Sequence, residues 1–289
     1  MNNLRGQACI VGIGETPHRR VWPGRSMWGL CAEAAAMAIR DAGLRRDDID
    51  GLIGFGPIAA APLAEYIGIR PVHYGLGSNF AGSSSGNALA VASAMVSYGV
   101  ANYIMFVGGG GRDPGNPDAS IYMGGGGPAA PSVGSEWMNP YGPAVAANNN
   151  YGMLYTRHMY EFGTKHEQIA QQAVRQRFNT QANPNSAFLG QPITMEDVMN
   201  SRYINYPLHI LESVMPVAGA ISFIVTTPER AKALQKPPVY VLGVGISQGY
   251  SNSFWKPNQV VVPSRYSAPA AYNMSGYGVK DVQFANFYD

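Results

Sequence analysis

The residues most able to do chemistry lie between Ser78 and Gly99, where the chain reads SNFAGSSSGNALAVASAMVSYG. A loop of Gly and Ser runs straight into an Ala-rich helix, with Gly82, Ser83 and Ser84 at the junction. Small residues let a ligand approach the backbone closely. The first turn of a helix adds N–H groups without intrahelical partners and a partial positive charge. Such a place suits an anion or a reacting group. The stretch holds no Cys, His, Lys, Asp or Glu. Ser83 as a nucleophile lacks a Gly-x-Ser-x-Gly elbow around it and an obvious His or Asp partner. The competing reading is a capped turn that lets helix and sheet pack tightly.

Other candidates are thinner. His73 precedes the loop, is expected to reach it, and is a candidate catalytic residue. His158 and His166 have no metal-ligand neighbours in sequence and read as solvated helix residues; His209 carries no signal. Gly12–Gly14 lacks the third glycine and immediate helix of a dinucleotide fingerprint, and Gly108–Gly111 lacks the Lys-Ser/Thr of a phosphate loop. No metal site and no tightly bound cofactor are expected.

Composition narrows the class. Apolar residues make up 46% and charged residues only 13%, about half the usual share. With 35 Gly and 17 Tyr, the surface is either built for burial against a partner, hence an oligomer, or is a neutral Gly-rich loop surface. A net charge of +2 with scattered Lys and Arg gives no nucleic-acid stripe. No apolar run approaches the roughly 20 residues of a membrane span, and no signal-peptide pattern opens the chain. Two cysteines, Cys9 and Cys31, make no disulfide framework. The expectation is a cytoplasmic protein.

The elements that must position the loop are legible. Ala8–Gly14, ACIVGIG, reads as a buried strand. Ser26 caps a helix that stops at Gly43, and a second strand starts near Ile49. The pattern then returns. Gly243 and Gly245 in VYVLGVG stand 231 positions after Gly12 and Gly14, and Asp281 stands 233 after Asp48. Two strand-helix-strand units at nearly one offset suggest an internal duplication. The first copy continues through the quoted loop, the helix Ala88–Ser97, the strand Tyr103–Gly109 and a closing strand Gly219–Thr227. The second stops at Asp289, so the second half is expected to be incomplete. Between them, Arg112–Tyr141 is Gly- and Pro-rich loop. Ala147–Phe162 reads as a helix, a second is capped by Thr164 with Glu167, and a third by Thr194 with Asp197. The expected organisation is a first half over residues 1–235, a helical and loop insertion near 112–210 lying over a site, and a partial second half over 236–289.

As a set, these blocks resemble the thiolase superfamily. The Gly/Ser loop and Ala-rich helix, FVGG, YGMLYTRHMYEFGTKHEQIAQQAVRQR, Asn183-Pro184, TMEDVMNSRYINYPL, GAISFIVTTPERAKAL and GYGVKDVQFANFYD occur in the family's order over almost the whole chain. The branch they resemble is the lipid-transfer, sterol-carrier-protein type. The resemblance implies an α/β thiolase-like fold of two duplicated halves with a helical loop insertion.

The family's acyl-accepting cysteine would fall on Gly82, or on Ser83 if the register slips by one. Neither has a thiol. Ala218 stands where an acid commonly precedes Gly-Ala, and the family's distal Asn- and His-bearing motifs have no counterpart in this sequence. Covalent thiolase chemistry is therefore not expected. Branch members without the cysteine are associated with retro-aldol cleavage of β-hydroxyacyl-CoA in steroid side-chain degradation. The resemblance then implies an oxyanion site at Gly82, Ser83 and Ser84, a catalytic role for Tyr288, and coenzyme A entering only as part of the substrate. It also implies a homodimer with a small OB-fold/zinc-ribbon partner. The alternatives are an inactive acyl-CoA- or lipid-binding or scaffold subunit and, third, an acyltransferase.

Overall fold

The computed structural model describes residues 4–55, 59–69, 72–110, 148–249 and 257–287. The elements are β1 (Cys9–Glu15), α1 (Met27–Ala42), β2 (Gly51–Phe55), α2 (Ala60–Ile67), β3 (Tyr74–Ser78), α3 (Ser84–Ser97) and β4 (Ile104–Gly110). A helical block follows: α4 (Asn148–Phe162), α5 (His166–Thr180) and α6 (Met195–Asn200). Then come β5 (Tyr203–Asn205), β6 (Leu208–His209), β7 (Gly219–Thr226), α7 (Pro228–Ala231), β8 (Val239–Tyr240) and α8 (Ser264–Ser275).

Among the described residues, six strands form one mixed sheet in the order β3-β2-β4-β7-β1-β8. β2 pairs in parallel with β3 and β4, while β7 runs antiparallel to both β4 and β1. The alternation of side chains along β4 divides the core between the faces. Met105 and Val107 join Leu30, Ala34, Ala38 and Leu63 on the α1–α2 face. Ile104 and Phe106 join Ala88, Ala92 and Val96 of α3 on the other. Each face is thus covered by a helix whose inner stripe is mostly alanine, so helix and sheet approach closely.

The caps behave as their residue types demand. The Ser26 hydroxyl accepts from the Gly29 N–H at 3.0 Å, and Gly43 ends α1 with φ +70°. Thr194 and Asp197 exchange bonds at the start of α6. Thr164 does otherwise: its hydroxyl bonds His158 Nδ1 at 2.9 Å, and α5 is capped one residue later, where the Lys165 N–H meets Gln168 Oε1 at 2.8 Å. Asp50 fastens the start of β2 to β4, its carboxylate accepting from Asn102 N and Tyr103 N at 2.8 Å each.

One local geometry occurs twice. A Cβ on Gly14 would collide with the backbone of α1, running into Ala34 O and lying 2.7 Å from Ala38 N. A Cβ on Gly245 would collide with the backbone of α8 at Ser267 in the same way. Gly12 faces Ala38 and Ala42; Gly243 faces Ala271 and Ser275. Gly43 and Gly276 both end their helices at φ +70°. Short 3-10 turns follow at Arg46–Asp48 and Val279–Asp281, each closed by its Asp accepting a backbone N–H at 2.7 Å.

The second unit is less regular than expected. VYVLGVG forms ladder only at Val239–Tyr240, which covers the start of the β1 edge. Residues 282–287 form no strand among the described residues, and Phe284 and Phe287 are exposed. A strand needs a paired neighbour to satisfy its backbone, and none lies beside this segment among the described residues.

Candidate functional site

In open α/β sheets ligands gather beyond the carboxyl ends of parallel strands. Here β2, β3 and β4 end together, and the Gly/Ser loop leaves β3 at that end. The loop is tied from within. The Ser78 hydroxyl, fully buried, donates to Ser84 O at 2.9 Å. The Phe80 N–H donates to the Ser84 hydroxyl at 2.7 Å, and the Ser83 N–H to Phe80 O at 3.0 Å. Asn87 Nδ2 reaches the Ser78 hydroxyl at 3.4 Å.

These bonds separate the three residues singled out by sequence. Ser84 is buried, with its hydroxyl engaged inside the turn. Gly82–Gly86 does spell Gly-x-Ser-x-Gly around Ser84, but an elbow nucleophile must expose its hydroxyl, and this one is 2% exposed. Ser83 is exposed, and its side chain makes no capping bond to α3. Gly82 is half-buried beside it. A Cβ on Gly86 would meet nothing within 4 Å, so the first turn of α3 has open space next to it.

His73 lies elsewhere. It precedes β3, whose opposite end carries the loop. Five strand residues separate the two ends, about 16 Å at roughly 3.3 Å per residue. Its Nδ1 sits 3.6 Å from Asp50 Oδ2, on the Asp50–Asn102 tie. The expectation that it reaches the loop fails because a strand intervenes. His73→Ala is accordingly expected to leave turnover within about twofold of the native rate, checked by steady-state kinetics. A drop of tenfold or more would return His73 to the site. Tyr288 lies outside the described residues.

Neither thiol is placed to replace the missing nucleophile. Cys9 and Cys31 are both fully buried. Burial pushes the Cys31 thiol up to about 12; burial, then the charge of Glu229, raises Cys9. Cys31 packs beneath Gly109, on the α1 face of the sheet and away from α3. A thiolate is the reactive form, so iodoacetamide at pH 8 is expected to label neither cysteine in the folded protein and both in denaturant, read by intact mass. Labelling of the folded chain would place a reactive thiol back in play.

The helical block is hung on the same end of the sheet. The His18 N–H donates to Asn185 O at 2.7 Å, and Asn185 Nδ2 donates to Glu15 Oε2 at 3.2 Å, just past the end of β1. Within the block, the structure gathers what the sequence held apart. His166, His209 and Glu212 place ligand-capable atoms within 4.8 Å of one another. His166 is mostly buried, its side chain 12% exposed, rather than solvated. A separation of 43 residues between the two histidines left no short motif to detect.

The site thus sits on a mixed sheet with an Ala-lined helix on each face, where a Gly/Ser loop opens onto α3. No family model matches the chain. A "Steroid side-chain-cleaving aldolase" from Thermomonospora curvata is 30% identical over all of this chain and 75% of its own length. A "17-hydroxy-3-oxo-4-pregnene-20-carboxyl-CoA lyase" from Mycobacterium tuberculosis is 31% identical over 99% of this chain and 76% of its own. Among solved structures, an "Ltp2-ChsH2(DUF35) aldolase" matches with a TM-score of 0.86 at 28% identity, over 96% of this chain and 72% of that one. An SCP2-thiolase-like protein from Mycobacterium smegmatis, 18% identical, shares the fold over 98% of this chain and 60% of its own, with a TM-score of 0.76. The chain belongs to the thiolase superfamily, in its lipid-transfer, SCP2-thiolase-like branch.

Proposed function

We propose that this protein is a CoA-thioester aldolase, a lyase that cleaves a β-hydroxyacyl-CoA of the steroid side-chain type into a ketone and a shorter acyl-CoA. The observation that carries the reading is a Gly/Ser helix entrance with no thiol, in a chain whose two thiols are both buried elsewhere. The similarity to an aldolase and to a CoA lyase supports it.

The reaction needs no covalent intermediate. A base takes the proton of the β-hydroxyl, the Cα–Cβ bond breaks, and its electron pair passes into the thioester as an enolate. Protonation at Cα releases the shortened acyl-CoA. The helix entrance at Gly82 and Ser83 is the group suited to the enolate oxygen, because the α3 dipole faces charge that develops during cleavage; the Ser83 N–H is taken by Phe80 O, so Gly82 is the backbone donor assigned there. Ser84 acts by shaping the turn through Phe80. Tyr288 is assigned to the acid–base work. Coenzyme A enters and leaves as part of the substrate, and no bound cofactor takes part.

A partner of the OB-fold/zinc-ribbon kind fits the likeness to a DUF35-containing aldolase assembly. A homodimer is proposed as well, and β3, an edge of the sheet among the described residues, is the surface offered for pairing. Among the described residues no helix is long and apolar enough to cross a membrane; a cytoplasmic location is part of the proposal. One observation favours a second reading, an acyl-CoA-binding subunit. Ser78 and Ser84 are both engaged within the loop, so its described side chains supply no general base.

The test is to incubate the protein, alone and with its partner, with 17-hydroxy-3-oxo-4-pregnene-20-carboxyl-CoA and resolve the products by mass spectrometry. The ketone and shortened acyl-CoA are expected. Saturable binding without products in both preparations would leave the binding subunit as the function.

A further inference from the structure

We propose that His166, His209 and Glu212 form a binding site for Zn²⁺, separate from the helix entrance and independent of the aldolase reading. The three residues meet where the first turn of α5 packs against the 3-10 turn Ile210–Glu212 that follows β6.

His209 is prepared as a ligand. It is 3% exposed, and its Nδ1 bonds the carbonyl oxygen of Ser201. A carbonyl only accepts, so Nδ1 carries the proton and Nε2 carries the lone pair. That Nε2 is buried with no hydrogen-bond partner among the described residues. An orphaned buried acceptor is destabilising. A ring nitrogen held by a backbone carbonyl, with the other left bare, is how metal-binding histidines are commonly oriented. The ring is fixed between Tyr203, with centroids 4.0 Å apart, and the edge of His166, at 4.8 Å.

Glu212 asks for a cation. Its side chain is 3% exposed, and among the described residues its one ion-pair partner is His166. No Lys or Arg pairs with it there. His166 Nε2 lies 2.9 Å from Oε1 and 3.1 Å from Oε2, and the backbone N–H of His209 donates to Oε2 at 2.7 Å. Burying a carboxylate against imidazole alone is costly without a full compensating charge.

The geometry fits a tetrahedral ion. Bonds of about 2.0–2.1 Å to His nitrogen and carboxylate oxygen place neighbouring ligand atoms about 3.3 Å apart. The His166–Glu212 pair is already near that spacing. His209 closes the set by a small ring movement, its ligand-capable nitrogen lying within 4.8 Å of the other two groups. Two neutral imidazoles and one carboxylate are a borderline-soft N/O donor set of the kind Zn²⁺ takes, with water completing the fourth position. The ion would clamp α5 to the corner made by β5 and β6.

The test uses the full chain, stripped with EDTA and titrated with Zn²⁺ against a chromophoric chelator, with Co²⁺ as a spectroscopic substitute. One Zn²⁺ per chain is expected, with Co²⁺ giving the visible bands of a low-coordinate N/O site. His209→Gln and His166→Asn should each weaken Zn²⁺ binding by tenfold or more, while far-UV circular dichroism confirms that both fold. His166 starts its helix, so its replacement keeps the test valid if the His209 variant does not fold. Failure of the native chain to bind Zn²⁺ stoichiometrically would overturn the proposal, as would native-like binding in the His166 variant. The readout is metal content, so either result leaves the aldolase proposal to its own assay.

Discussion

Gly14→Ala is expected to abolish the stable fold. The added methyl would enter the backbone of α1 at Ala34 O and Ala38 N, and no flexible side chain is there to move aside. Overpacking of this kind costs about 3 kcal/mol or more, a large part of the total stability of a domain. The result should be a variant recovered largely unfolded, or one melting far below the native protein by calorimetry. Gly86→Ala is the internal control. Its Cβ meets nothing within 4 Å inside α3, and alanine favours a helix over glycine by up to about 1 kcal/mol. It should melt at or above the native temperature. A Gly14→Ala protein with native melting would show that β1 and α1 leave room for a methyl group between them.

The second large effect is on turnover. Gly82→Val is expected to lower kcat on the order of 100-fold, the size of loss that follows when an oxyanion loses one donor, because the side chain would hold the ligand away from the N–H that valine retains. Gly82 lies within the 3-10 turn Ala81–Ser83, whose backbone has negative φ, so valine meets no backbone prohibition there. Its bulk falls where the ligand must approach. Ser83→Ala, one residue on, should stay within a fewfold of the native rate, because its hydroxyl caps nothing and acts as no nucleophile. Steady-state kinetics on both variants decide the matter. Inactivity of Ser83→Ala with native activity of Gly82→Val would reverse the assignment and favour a serine nucleophile.

How much of this was legible in the sequence depended on range. Ser26 and Gly43 bounded α1 correctly because caps act over three or four residues. The paired glycines at 12, 14, 243 and 245 revealed a repeat whose cause is visible only in space: each stands against a helix backbone that leaves no room for a side chain. Thr164 misled, since a serine or threonine followed by an acid three residues later is a capping signal only if no nearer group takes the hydroxyl, and His158 took it. His73 misled for a different reason. Five residues look close along the chain, but in a strand they are extended. Ser84 looked interchangeable with Ser83 until the turn buried one hydroxyl and exposed the other. The His166–His209–Glu212 cluster was illegible, because its members come together only when α5 packs on the turn after β6.

The claim at the centre is that the helix entrance stabilises an enolate without a protein-bound acyl group. Cleavage of the β-hydroxyacyl-CoA in D₂O, quenched during turnover, tests it in one mass-spectrometric measurement of both protein and product. A protein of unchanged mass is expected, with a released acyl-CoA carrying one deuterium at its α-carbon. A protein heavier by the acyl group would contradict it.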